Sequence, residues 1–204
     1  GNNDASKEPG NQLAGIDARW KILDSPIALY GQVVGEDEDK FLPNCLMFQY
    51  GLEAWKNLGD STLRVFVEYA DLTSYWWTGD PRTRNITYGH HIYKDGFRYR
   101  GRPIGHWADQ DSQMLSVGGL LLRKNGIGWG VTLRSGKLNE DGSGNNSVSN
   151  GIATDYSSFE LFNSREYPYR SLKVNTSIGW ESLDVVGANE DDGLTLSLSM
   201  TRIF

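Results

Sequence analysis

The chain has 204 residues, a formal net charge of −6, 24 glycines, a single cysteine and 12% aromatic side chains. This length supports one domain with a sizeable core, and the acidic balance without an arginine-rich run excludes a nucleic-acid partner. The lone Cys45 rules out an intrachain disulfide and a four-cysteine zinc site.

Gly1–Gly10 is polar and rich in Gly and Asn, the composition of a surface loop. Thereafter helical spacing is nearly absent, and alternation with period two recurs along the chain. Ala14, Ile16, Ala18, Trp20 and Ile22 share one face, opposite Gly15, Asp17, Arg19 and Lys21. After Asp24-Ser25-Pro26 the pattern resumes with Ile27, Leu29, Gly31 and Val33, then with Leu46, Phe48, Tyr50, Leu52 and Ala54. Beyond a turn at Asn57–Asp60, Leu63, Val65, Val67 and Tyr69 oppose Arg64, Phe66 and Glu68. Leu115, Val117, Gly119 and Leu121 lead through Lys124-Asn125-Gly126 to Trp129, Val131 and Leu133. A weaker strand covers Tyr156 to Phe162, and two clear ones follow, on Leu172–Trp180 and Leu194–Met200. The longest apolar stretch, Leu115 to Leu122, contains Ser116, Gly118 and Gly119 and is far too short for a membrane-spanning helix.

A soluble sandwich would alternate in the same way, and three features argue instead for a transmembrane barrel. Connections alternate short and long: 24–26, 57–61, 124–127 and 163–169 against 36–45, 72–112, 138–155 and 184–192. Outer-membrane barrels sort their loops like this, with tight periplasmic turns and long external loops. Trp20, Tyr50, Tyr69, Trp129 and Trp180 fall on the apolar face, where interfacial girdles are expected. The last strand ends in an aromatic, Phe204, although Arg202 interrupts its apolar face. The expected fold is therefore all-β, an antiparallel up-and-down transmembrane barrel. About nine strands are odd for a closed single-chain barrel, so 1–204 is expected to be the C-terminal half of a larger one of about 18 strands. On that expectation Gly1–Gly10 is the remnant of an external loop, and the N-terminal half is a second chain or a cleaved fragment.

The stretch Tyr88-Gly89-His90-His91-Ile92-Tyr93-Lys94-Asp95-Gly96-Phe97-Arg98-Tyr99-Arg100-Gly101-Arg102-Pro103-Ile104-Gly105-His106 resembles the capsule-assembly Wzi family. So do Asp109-Gln110-Asp111-Ser112, Ala28-Leu29-Tyr30-Gly31-Gln32 with Gly35-Glu36-Asp37-Glu38, and Val67-Glu68-Tyr69-Ala70-Asp71. The resemblance implies an outer-membrane barrel partly closed by its own loops, acting as a lectin that anchors capsular polysaccharide at the cell surface. It also implies outer-membrane lipid as surroundings, loops facing the cell exterior, and a helical plug in the absent N-terminal half. The alternative is a porin or polysaccharide export channel, and inward Arg, Glu and Gln suit either role.

The long 72–112 segment carries the candidate polysaccharide-binding residues Tyr75, Trp76, Trp77, Arg82 and Arg84. Aromatic rings stack on the apolar face of a sugar, and arginines take its acidic groups. Arg98, Arg100 and Arg102 would share one face of a strand. From there they are expected to occlude the lumen by pairing with Glu36, Glu53, Glu68 or Asp71. His90 and His91 would point to opposite faces, and Asp109 and Asp111 lack calcium-loop spacing, so no metal site is assigned. His106 and Ser112 have no orienting partner in the sequence, so no catalytic site and no cofactor are assigned.

Overall fold

The computed structural model describes residues 13–39, 42–75, 79–80, 84–89, 96–167, 171–187 and 191–202, and the side chains of all of these except 36–39 and 42–44. The strands are β1 (Leu13–Lys21), β2 (Ile27–Asp39), β3 (Leu42–Leu58) and β4 (Ser61–Asp71), then a two-rung ribbon of β5 (Arg98–Tyr99) and β6 (Arg102–Pro103). β7 (Gln113–Arg123), β8 (Ile127–Leu138), β9 (Thr154–Tyr167), β10 (Leu172–Val185) and β11 (Asp191–Arg202) complete the chain. All except the ribbon join one nine-stranded sheet in the order β1-β2-β3-β4-β7-β8-β9-β10-β11, every neighbour antiparallel. This is the meander of a barrel wall. Among the described residues, β1 and β11 each pair on one side only.

The register explains the alternation. One row runs across all nine strands through Trp20, Leu29, Leu52, Val67, Val117, Leu133, Phe159, Trp180 and Leu194. Every member is exposed, from 38% at Leu52 to 69% at Leu194. The neighbouring row faces the other way and holds Arg19, Tyr30, Gly51, Glu68, Ser116, Arg134, Ser158, Glu181 and Gly193. A continuous apolar surface of this extent is stable only against another apolar phase, while the polar row suits a water-accessible interior. Within that interior Glu53 is buried and bridges two arginines, accepting from Arg19 Nε at 2.5 Å and Arg64 Nε at 2.6 Å.

Two expected long loops are corrected. The ladder between β2 and β3 continues through Glu36↔Cys45 to Asp39↔Leu42, so only residues 40–41 separate the strands where a 36–45 loop was expected. The acidic run reads as a loop by composition, but cross-strand backbone pairing overrides the weak β-propensity of Asp and Glu. Likewise β10 and β11 are separated only by 186–190. The 72–112 and 138–155 connections remain long and gather at one end of the sheet, leaving the opposite end with short turns.

Adjacent residues on opposite faces give a direct check. Ile178→Arg, on the exposed apolar face, is expected to cost about 2–4 kcal/mol of folding into a bilayer. Ser177→Arg, one residue away on the polar face, should be tolerated. Urea titration of both variants in lipid vesicles measures the difference; equal losses would contradict the assignment of faces.

Candidate functional site

At the end of the sheet where β4 gives way to β7, the 72–112 segment turns back onto the polar face. Leu72, Tyr88 and Ala108 from this segment are buried together with Met47 of β3, Met114 of β7, Leu138 of β8 and Tyr156 of β9. The Trp107 ring lies 5.1 Å from that of Tyr156, and the Arg134 guanidinium sits 5.9 Å over the Trp107 ring. Beneath this layer is a cavity of about 640 Å³, lined by Gln32, Gln49, Glu68, His106, Trp107 and Arg134 among others.

The layer is assembled around one buried ion pair. Arg98 Nη2 donates to Asp109 Oδ1 at 2.8 Å and Nε to Oδ2 at 3.2 Å, while Nη2 also donates to Gln110 Oε1 and Nη1 to the Tyr88 carbonyl. Asp109 is fully buried and also accepts the backbone N–H groups of Gln110 and Ser147, both at 2.8 Å. Asn146 completes the join between the loops. Its Nδ2 donates to the carbonyls of Ala108 and Gln110 and to Ser112 Oγ, and its Oδ1 accepts from Val148 and Ser149. Tyr88 holds the other side, its carbonyl accepting from Phe97 and its hydroxyl from the His106 N–H. Gly96 and Gly105 are required here, because a Cβ at either would collide with Tyr88. Tyr88, Asp109 and Asp111 all adopt positive φ, between 49° and 60°. Such backbone is costly for non-glycine residues and persists only where the surroundings over-determine it.

The sequence-predicted residues fall into three groups. Trp76, Trp77 and Arg82 lie outside the described residues, as do His90 and His91 and the side chain of Glu36. Tyr75 is exposed, with the Arg84 guanidinium 4.5 Å over its ring. Arg84 also donates to Glu140 at 3.0 Å and to Asp111 at 3.4 Å, so it links the two loops. The expected arginine network takes different partners. Arg98, Arg100 and Arg102 do not share one strand, because Arg100-Gly101 is the tight turn between β5 and β6. Arg98 pairs with Asp109, whereas Arg100 and Arg102 are exposed. Glu53 pairs with Arg19 and Arg64, Glu68 accepts from Tyr30, and Asp71 accepts from Thr73 and Gln113. The residues missed from sequence as loop clamps are Tyr88, Asp109 and Asn146. The Tyr88–His106 and Asp109–Ser112 blocks drew attention as motifs, but nothing in their spacing announced a shared ion pair.

Burial sets the protonation of the loop layer. It pushes Asp111 from 3.8 up to about 6, against the pull of the Asp141 N–H and Arg84. Burial also lowers His106, consistent with a neutral ring whose Nδ1 accepts from the Ala108 N–H at 3.2 Å. Asp141 resists its own burial because Asn85 and Ser143 donate to it, which holds it below the usual carboxylate range. Because the closed layer binds a proton at Asp111 that the open layer releases, its stability should fall as pH rises from 3.8 to about 6 and then level off. Amide exchange at 139–147 across this window measures the slope, and Asp111→Asn should abolish it; an unchanged slope in the variant would contradict the role given to Asp111.

Comparison with known proteins fits this geometry. The family model described as capsule assembly protein Wzi matches residues 1–196. A solved structure of Wzi, an outer membrane protein involved in group 1 capsule assembly in Escherichia coli and a carbohydrate-binding β-barrel, is 30% identical with a TM-score of 0.75. The match covers 95% of this chain and 42% of that one, so the chain spans less than half of that structure. An uncharacterized 55.8 kDa protein in the cps region of Klebsiella pneumoniae is 42% identical over 73 residues, 34% of this chain and 14% of that protein. The chain belongs to the capsule assembly protein Wzi family.

Proposed function

We propose that the protein is an outer-membrane anchor, a lectin-like barrel wall that holds capsular or other extracellular polysaccharide non-covalently at the cell surface. It acts by binding and has no catalytic step. The observation that carries this reading is the loop layer. Two long loops are packed onto the polar face and cross-linked by buried charge, an arrangement suited to a fixed binding surface and poorly suited to a wide export path. The exposed apolar row faces outer-membrane lipid, and the loop end faces the cell exterior. The rest of a larger barrel, of about 18 strands, would complete the wall at β1 and β11, where an open edge in lipid costs several kcal/mol per unpaired backbone group.

Tyr75, with Trp76, Trp77 and Arg82 that follow it, forms the proposed sugar-stacking stretch. Arg84 serves it from behind, fixing the Tyr75 ring rather than offering a free charge. Replacing Trp76 and Trp77 together by alanine is expected to reduce cell-surface polysaccharide retention severalfold, while heat-modifiable migration of the barrel stays unchanged. Full retention by the double variant would remove these residues from the site.

A further inference from the structure

Among the described residues of the loop layer, the Phe97–Ile104 segment forms a hairpin ribbon whose turn is exposed and whose base is held by buried groups. Its base is fixed by Arg98, whose side chain is only 10% exposed and fully engaged by Asp109, Gln110 and Tyr88. The main chain adds Phe97 N to Tyr88 O and Ile104 N to Phe97 O, both at 3.0 Å. Side chains alternate across the ribbon, so the residue after this anchor points the opposite way. Tyr99 is 65% exposed, Arg102 is its cross-strand partner on the same face, and the Arg100 guanidinium stacks 5.3 Å over the Tyr99 ring.

Turn chemistry makes Arg100 conspicuous. Arg100 and Gly101 have φ of 51° and 77°, the two-residue hairpin turn in which Asn-Gly is the favoured pair. Arginine is a poor choice for the first position, so the fold alone does not call for it. Nor does local charge balance: among the described residues, no carboxylate lies within ion-pair distance of Arg100 or Arg102, in a chain of net charge −6. An aromatic face beside two unspent guanidinium forks is complementary to a sugar that bears a carboxylate. The ring covers its C–H face, and the forks take the anion bidentately.

We propose that this ribbon is a preformed finger that binds a uronic-acid unit of the extracellular polysaccharide through Tyr99, Arg100 and Arg102. The proposal rests on the anchoring reading and adds to it a second contact, away from the Tyr75 stretch, with an acidic sugar as its ligand.

The test uses Arg100→Asn combined with Arg102→Ser in the full-length protein. Asn-Gly suits the turn better than Arg-Gly, so the finger should fold at least as well without its charges. Binding is measured by calorimetry to a uronate-bearing capsular oligosaccharide and to the same oligosaccharide after carboxyl reduction. The wild type should bind the uronate form about tenfold or more tighter than the reduced form, and the variant should lose that preference. Arg100→Lys, which keeps charge but not the fork, should fall between the two. If the wild type prefers the uronate form and the variant keeps that preference, the finger is overturned while the anchoring reading stands. Should the wild type bind neither oligosaccharide, the anchoring reading falls and this proposal with it. Finger-dependent binding of lipopolysaccharide micelles without oligosaccharide binding would overturn the sugar assignment in favour of a lipid phosphate.

Discussion

Arg98 and Asp109 meet in a bidentate ion pair whose carboxylate is fully buried, and the loop layer is organised around it. Taking two charges out of water is expensive, and it is tolerable only where every remaining donor and acceptor is satisfied. Here Arg98 also reaches Gln110 and Tyr88, and Asp109 also accepts N–H groups from its own loop and from the neighbouring one. One carboxylate thereby fastens the ribbon, the 106–112 turn and the 139–153 loop to one another. The positive φ angles of Tyr88, Asp109 and Asp111 are the strain that this arrangement absorbs.

Below the layer, the sheet serves two environments with one repeated device. Because the side-chain period of a strand is two, a register that places Val67 beside Val117 also places Glu68 beside Ser116. Nine strands in continuous register turn that local rule into one apolar surface and one polar surface. The buried Glu53 between Arg19 and Arg64 belongs to the polar side, and so do Arg134 and Glu68 lining the cavity beneath Trp107. The loop layer is thus seated on a polar wall, and its packing depends on the few apolar residues, such as Met47, Met114 and Leu138, placed at the ends of that wall.

The strands were legible in the sequence because alternation is local: Leu115–Leu121 and Leu194–Met200 carry their face assignment in their own spelling. The ladder from Glu36 to Asp39 was not, since its acidic residues describe a loop and only the partner strand makes it a hairpin. The arginine cluster shows the same limit. Arg98, Arg100 and Arg102 read as one strand face until Gly101 permits a turn between them, which sends Arg98 inward and the other two outward. Asp109 and Asn146 are separated by 37 positions that a period-two reading cannot span, and the bonds of Asp109 to the ribbon and of Asn146 to the 106–112 turn are tertiary contacts alone.

Residue-resolved hydrogen exchange on the membrane-inserted protein, comparing wild type with Asp109→Ala, tests the central claim most directly. Removing one partner of a buried pair leaves the other charge uncompensated, at a cost of about 3–5 kcal/mol. Amides of 106–112 and of 139–147 should therefore be protected together in the wild type and accelerate together in the variant, with Val117 in β7 unchanged. Independent exchange of the two loops, or protection that survives the substitution, would contradict a layer organised around this ion pair.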